Sequence, residues 1–208
     1  MKRLSRDIPR YNAGERVNHW VVAISFVLLA LSGLAFFHPS MFFLTNLFGG
    51  GPWTRILHPY IGWVMTIGFV LMVFRFWRLN IIKPHNVQWL KEVPQMLKDE
   101  HHHMPEQDKY NGGQKVLFWL LCLCMLGLVV SGLLMWRSWW VLPVELIRAG
   151  VVLHALSAFG LFALILAHVY AAIWTRGTLR AMIYGTVNRA WAKYHHPLWY
   201  REMTGNKD

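Results

Sequence analysis

The chain has 208 residues and a formal net charge of +11, and 55% of its residues are hydrophobic. Its apolar fraction exceeds that of a typical soluble domain, and its length predicts a single domain, residues 1–208. All but three of the 21 lysines and arginines lie in an N-terminal arm, a central loop with its borders, and a C-terminal tail. This segregation argues against a nucleic-acid partner and indicates membrane lipid around the chain.

The apolar residues form four blocks, at residues 20–37, 56–74, 116–136 and 149–174. A membrane-spanning helix needs roughly 20 apolar residues. We therefore predict an all-α integral membrane protein, a bundle of four transmembrane helices at about 17–37, 55–77, 115–136 and 148–175, with a tail over 176–208. The lysine and arginine distribution predicts that both termini are cytoplasmic, as in a multi-pass protein of the bacterial inner membrane. No internal repeat is evident.

The central loop, residues 78–115, is predicted to be cytoplasmic. Its segment 87–100 carries apolar residues at helical spacing and predicts an interfacial helix. His38 and His85 are interpreted as solvated loop residues. The three histidines at 101–103 are interpreted as a solvated tract, with binding of a soft metal as the alternative. His195 and His196 are assigned to a structured tail.

Four further histidines lie inside or at the rims of the apolar blocks: His19, His58, His154 and His168. An ionisable residue within a membrane is a functional-site hypothesis by default. The predicted orientation places His58 and His154 at the external side, and His19 and His168 at the cytoplasmic side. On the fourth helix the two histidines are separated by a rise of about 21 Å and share one face. The depths therefore predict two metal centres, one for each pair.

Neutral imidazole is a good axial ligand for haem iron, so the two pairs predict two haem b groups. An iron with two imidazole ligands has no open position, and such a haem transfers electrons only. Glycines in the spans could make room for a porphyrin or let helices pack closely; they are Gly33, Gly62, Gly127, Gly132 and Gly160. The alternatives are a histidine-based metal transporter and a passive anchor with structural histidines, but the spans lack the Asp and Glu typical of a metal path.

The loop before the third span contains Asn111, Gly113 and Gln114. Polar amides and flexible backbone at the edge of an apolar slot are suited to a quinone carbonyl. The loop enters the membrane at the predicted level of His19 and His168, so we predict a quinone site there. The alternative is a loop with a helix N-cap, in which Lys115 snorkels to the surface.

Six segments stand out in order along nearly the whole chain. They are Glu-Arg-Val-Asn-His-Trp at 15–20, Arg-Ile-Leu-His-Pro at 55–59, Tyr-Asn-Gly-Gly-Gln-Lys at 110–115, Leu-His-Ala at 153–155, His-Val-Tyr at 168–170 and Trp-Ala-Lys-Tyr-His-His-Pro-Leu-Trp-Tyr-Arg-Glu at 191–202. In this order and at this spacing, the segments resemble the cytochrome b (gamma) subunit of respiratory membrane-bound formate dehydrogenases.

The resemblance implies an electron-transfer and quinone-reducing subunit, not the formate-oxidising one. Its partners would be an iron–sulfur (beta) subunit with a transmembrane anchor and a molybdenum or tungsten catalytic (alpha) subunit. It assigns the external haem to His58 and His154 and the cytoplasmic-side haem to His19 and His168, with quinone nearby. Cytochrome b subunits of nickel–iron hydrogenases and thiosulfate reductases share the histidine pattern and remain the alternative, while the tail and the 110–115 loop favour formate dehydrogenase.

Overall fold

The computed structural model describes residues 7–96, 98, 104–136 and 141–205, and over these residues the chain is mainly helical. The histidine tract at 101–103 lies outside the described residues. The elements in chain order are β1 (Asp7–Pro9), α1 (Ala13–Phe37), a 3-10 helix (Pro39–Phe48), α2 (Gly51–Phe76), a 3-10 turn (Trp77–Asn80), α3 (Pro84–Met96), α4 (Gly112–Met135), α5 (Val144–Trp174), α6 (Thr178–Tyr184), β2 (Thr186–Asn188), α7 (Arg189–His195) and α8 (Pro197–Thr204).

Four helices are long and apolar enough to cross a membrane: α1, α2 together with its 3-10 turn, α4 and α5. The prediction of four spans in a multi-pass membrane protein is confirmed. Each helix begins about one turn before the predicted start, because hydropathy marks the lipid-facing part of a helix and not its capped end. Phe74 and Phe159 are among the large apolar side chains that remain exposed, as expected where lipid or a partner covers the surface.

The predicted helix of the central loop is present as α3, and Pro94 lies inside it. Its position at a membrane interface stays a prediction, as does the cytoplasmic location of the two termini.

The chain divides into two compact units. The tail unit comprises Met1–Ala13, Phe76–Leu123 and Gly160–Asp208, and the span unit comprises Gly14–Arg75 and Cys124–Phe159. In the tail unit β1 pairs antiparallel with β2, with Ile8 opposite Val187. Both side chains belong to a buried apolar cluster that also contains Ala181, Ala192 and Trp199. The N-terminal arm is therefore packed against the C-terminal tail.

In the span unit, glycines let the helices approach closely. A Cβ atom at Gly68 on α2 would lie 2.9 Å from Cγ2 of Val22 on α1, and Asn18 on α1 donates its Nδ2–H to the Gly68 carbonyl at 3.0 Å. On α4, a Cβ at Gly127 would lie 2.3 Å from Oγ of Ser157 on α5. These contacts fix α1 against α2 and α4 against α5 by the small-residue packing common in membranes.

Candidate functional site

The span unit brings His58 on α2 and His154 on α5 together. Their ring centroids are 6.3 Å apart and their planes are inclined by 59°. The two residues are far apart in sequence and were paired above by predicted depth alone. The structure therefore provides one site in which two imidazoles face a common space.

A serine hydroxyl holds each ring. Oγ of Ser32 lies 2.7 Å from Nδ1 of His58, and Oγ of Ser131 lies 2.9 Å from Nδ1 of His154. Each hydroxyl also reaches a carbonyl one turn earlier in its own helix, at 2.8 Å for Leu28 and 2.6 Å for Gly127. A hydroxyl has one proton, and within a helix it donates to the carbonyl four residues earlier. Both serines therefore accept from Nδ1–H, which leaves the lone pair of each histidine on Nε2.

A glycine follows each serine and lies beside the same ring. A Cβ at Gly33 would be 3.7 Å from Cε1 of His58, and one at Gly132 would be 3.8 Å from Cε1 of His154. These two of the five glycines named above flank the histidine pair, whereas Gly127 serves helix packing. The absence of a side chain at Gly33 and Gly132 keeps the space beside both rings open.

These matched contacts arise from an internal repeat, and the prediction that the sequence holds none is wrong. Aligning Ser32 with Ser131 aligns the segment 12–37 with 111–136, and the match includes Asn-x-Gly at the start, a shared Val and Trp, and Ser-Gly-Leu near the end. α1 begins directly after Asn12 and α4 directly after Asn111. The signal was in the sequence, but substitutions among apolar residues across the middle of the two segments obscure it.

The residues of the site fit a haem. The ring centroids of His58 and His154 lie 6.3 Å apart, a spacing at which one metal ion could bind a nitrogen of each ring, since an imidazole nitrogen binds a metal at about 2.0–2.1 Å. Both Nε2 atoms carry a lone pair, which is the state a metal ligand requires. Two histidines alone do not form a closed metal site, and no group of three or more His, Cys, Asp or Glu residues suited to a metal occurs within the described ranges. A porphyrin would supply the remaining four ligands.

His19 lies on α1 in the span unit and His168 lies on α5 in the tail unit. The ring of His19 meets that of Trp20 edge-on, with centroids 5.5 Å apart. In the repeat, the position that corresponds to His19 is Phe118, so α4 offers no equivalent ligand. The pairing of His19 with His168 stays a prediction.

The loop before α4 forms a capping box. Oδ1 of Asn111 accepts from the backbone N–H of Gln114 at 2.9 Å, and Oε1 of Gln114 accepts from the N–H of Asn111 at 3.0 Å. This arrangement is the helix N-cap named as the alternative interpretation. At Gly113, a Cβ would lie 3.2 Å from the Trp89 ring. Quinone binding by these three residues stays a prediction.

Lys115 does not snorkel, because its side chain is fully buried. Its Nζ donates to Asn86 Oδ1 at 2.8 Å and to Asp108 Oδ2 at 3.0 Å. Lys83 Nζ also lies 2.9 Å from that carboxylate, and His85 Nε2 lies 2.5 Å from Asp108 Oδ1. The prediction that His85 is a solvated loop residue is wrong, since it belongs to α3 and pairs with Asp108.

We call these five residues the Asp108 cluster. Burial by itself would raise the pKa of Asp108, but hydrogen bonds from Lys83, Lys115 and His85 outweigh it and lower the pKa to about 2. The carboxylate therefore stays charged at neutral pH and holds α3 against the first turn of α4. The cluster was not predictable from the sequence, because its members come from three separate segments.

A second group in the tail unit surrounds Arg10, which is 5% exposed. Its guanidinium lies 4.9 Å from the Trp199 ring centroid and 5.1 Å from that of Trp191, and Nη2 donates to the Lys109 carbonyl at 2.5 Å. His196 donates from Nδ1 to the Asp108 carbonyl at 2.7 Å. Burial and the nearby Arg10 charge lower the pKa of His196 to about 3, so it is neutral. This Arg10 clasp ties the N-terminal arm and the tail to the loop before α4.

The chain matches a known family over most of its length. Residues 10–185 match the family described as prokaryotic cytochrome b561. A formate dehydrogenase cytochrome b556(fdo) subunit from Escherichia coli K12 is 42% identical over 206 residues, which cover 98% of this chain and 96% of that protein. A formate dehydrogenase cytochrome b556 subunit from Haemophilus influenzae is 39% identical over 202 residues, 96% of this chain and 85% of that protein.

A third relative, the nitrate-inducible formate dehydrogenase cytochrome b556(Fdn) subunit of Escherichia coli K12, is 38% identical over 201 residues, 96% of this chain and 93% of that protein. In all three comparisons the matched stretch covers 96–98% of this chain. The chain therefore belongs to the prokaryotic cytochrome b561 family, and over almost its whole length it is similar to cytochrome b556 subunits of formate dehydrogenases.

Proposed function

We propose that this chain is the di-haem cytochrome b subunit of a respiratory formate dehydrogenase in the bacterial inner membrane. Membership of a cytochrome b family implies haem b, and the three relatives above are named as subunits of formate dehydrogenases. The observation that carries the proposal is the His58–His154 pair, with ring centroids 6.3 Å apart and both Nδ1 atoms engaged by serines. A haem held there supplies reversible one-electron transfer.

The residues have a defined order along the electron path. His58 and His154 would hold the external haem, which receives electrons from an iron–sulfur subunit anchored by a transmembrane helix. His19 and His168 would hold the cytoplasmic-side haem, next to quinone. Formate would be oxidised in a separate molybdenum or tungsten subunit. Electrons moving inward do work against an inside-negative potential, about 2.3 kcal/mol per charge per 100 mV for a full crossing. Proton uptake by quinone from the cytoplasm would then charge the membrane.

Haem content tests the proposal directly. We would purify the complex from its native membrane, record oxidised and dithionite-reduced spectra, and assay haem per chain. We expect two haems b in the parent, and one in a His58→Leu or a His168→Leu variant. His38→Leu is the control, because His38 is an exposed residue that caps the 3-10 helix. A parent complex without haem would refute the proposal. If hydrogenase or thiosulfate reductase subunits co-purified with the chain, the partner enzyme would be one of these instead.

Quinone binding needs variants that keep the capping box. In both Asn111 and Gln114 the carbonyl oxygen accepts the capping hydrogen bond, so the NH₂ end is the one that would donate to a quinone oxygen. Asn111→Asp and Gln114→Glu retain the capping oxygens and remove those donors. We expect formate to reduce both haems normally while the rate of quinone reduction falls about tenfold or more, the usual size for a lost hydrogen bond to a bound ligand.

The matched control is Gln88→Glu, which makes the same change on the exposed face of α3. Unchanged quinone kinetics in Asn111→Asp and Gln114→Glu would remove these residues from the quinone site without affecting the haem assignment.

A further inference from the structure

We propose that Ser32 and Ser131 are positioning residues of the external haem, which hold both of its ligand histidines in one tautomer and lower its reduction potential. This inference rests on the proposed function, in which His58 and His154 ligate a single iron. The serines would act on the iron only through the imidazole rings that they hold.

The carbonyl contacts of the two serine hydroxyls favour one proton arrangement at Nδ1 of both histidines. Each serine donates to a carbonyl of its own helix and accepts from Nδ1–H of its histidine. Both serines are completely buried, so bulk water cannot take the place of either hydroxyl. Loss of the Ser32 hydroxyl would leave the Nδ1–H donor of His58 without its acceptor in an apolar surrounding, which is costly, whereas His154 also has the Leu128 backbone as a hydrogen-bond partner. Each serine therefore selects the ring orientation and the tautomer that present a bare Nε2.

The internal repeat supports a shared role for the two serines. Between the two copies, Asn18 corresponds to Leu117 and His19 to Phe118, so polar and ligand positions have diverged. Ser-Gly is nevertheless present in both copies, and in both the serine lies on the helix that precedes the ligand helix. Each glycine borders the same ring that its serine holds. A serine needed only for helix packing would have no reason to meet Nδ1 of a histidine in both halves.

The expected electronic effect has a definite sign. An acceptor on Nδ1–H makes the imidazole a stronger electron donor. A stronger donor stabilises ferric over ferrous iron, so the hydrogen bond lowers the reduction potential. Removal of an outer-shell partner changes metal affinity by about 10- to 100-fold. A tenfold change in the ratio of ferric to ferrous affinity corresponds to about 59 mV for one electron, and two serines acting on one iron should give additive shifts.

The test is a redox titration of the purified complex, followed by the b-type absorption bands, with the low-spin haem signal measured by electron paramagnetic resonance. In Ser32→Ala and Ser131→Ala we expect the potential of one haem to rise by about 59 mV and its low-spin signal to shift, with the other haem unchanged. The double variant should approach twice that shift. Ser32→Thr keeps a hydroxyl that can bond the same carbonyl and should restore the parent potential.

Ser25→Ala is the matched control, because Ser25 is a buried serine two turns earlier on α1. The inference would also be supported if Ser32→Ala lost only the external haem while Ser25→Ala and Ser32→Thr kept two haems per chain. Two haems with unchanged potentials and signals in the double variant would overturn it and leave the proposed function intact. A parent complex that contains no haem would overturn the proposed function instead.

Discussion

Replacement of Asp108 by Asn should destabilise the tail unit more than replacement of its buried partner Lys115 by Met. Removing one member of a buried ion pair costs about 3–5 kcal/mol, because the remaining charge is left uncompensated. In Asp108→Asn, Lys115 retains two neutral acceptors, Asn86 Oδ1 and the Ile81 carbonyl, and the lost carboxylate was 21% exposed. These two facts reduce the expected cost to about 2–3 kcal/mol.

Lys115→Met removes the charge that is hardest to bury, while Asp108 keeps Lys83 and His85. Three acceptors lose a donor, but Asp108 and Asn86 each keep another, so the cost falls mainly on the Ile81 carbonyl and is about 1–2 kcal/mol. The double variant leaves no unpaired charge inside, so it should cost less than the sum of the two single variants.

Hydrogen exchange of the purified complex measures these differences at the backbone amides of α3 and of the first turn of α4. A cost of about 2–3 kcal/mol corresponds to exchange about 30- to 150-fold faster. The control is Glu106→Gln, which removes an exposed pair with Arg201 and should leave exchange in α3 and α4 nearly unchanged, because solvent screens exposed pairs. If Lys115→Met accelerated exchange more than Asp108→Asn, or if the two effects simply added, the account of the Asp108 cluster would be wrong.

Three further predictions concern packing within the tail unit or within the span unit. Arg10→Lys keeps the charge but loses the planar group that stacks on Trp199 and reaches the Lys109 carbonyl. Hydrogen exchange at the backbone amides of β1 and α7 should therefore become about tenfold faster or more. Unchanged exchange rates would refute the role given to the Arg10 clasp. The lowered pKa of His196 means that the unfolded chain binds its proton first, so tail-unit stability should be full above pH ~6.5 and fall as the pH drops from there towards 3. Thermal unfolding followed from pH 7 to pH 4 checks this, and His196→Gln should flatten the slope. Gly127→Ala places Cβ against Oγ of Ser157 and should lower the melting temperature, with partial rescue by Ser157→Ala; equal melting temperatures would mean that the helices part easily.

Features set by the position of a residue along its own helix were predictable from the sequence. The four spans follow from block hydropathy, and the pairing of His58 with His154 follows from depth once the direction of each helix is assigned. The helix starts were placed late because capped first turns are polar, as at Gln114. Hydropathy responds to lipid contact and gives no information about a cap.

Contacts between distant polar residues were not predictable in this way. The Arg10 clasp joins residues at opposite ends of the chain, and the Asp108 cluster joins α3, a loop and α4. Nothing in local spacing links such residues, since their proximity results from the packing of the whole tail unit. His85 illustrates the failure, because a histidine beside a proline in a polar segment has the composition of a loop and yet lies in a helix, paired with a carboxylate.

The two similar segments, 12–37 and 111–136, begin alike and diverge near His19. Both copies begin with an asparagine directly before the helix and a Glu or Gln three residues later, at Asn12 and Glu15 and at Asn111 and Gln114. The amide oxygens of the 111–114 loop therefore have a folding role in starting α4, independent of any ligand. The copies diverge one turn further on, where α1 carries His19 and α4 carries Phe118. α4 therefore has no histidine at the position that corresponds to His19. Ser32 and Ser131 do occupy matching positions of the two segments, and each contacts one ring of the His58–His154 pair, so substitutions at the two serines should act on the same site and on one haem only.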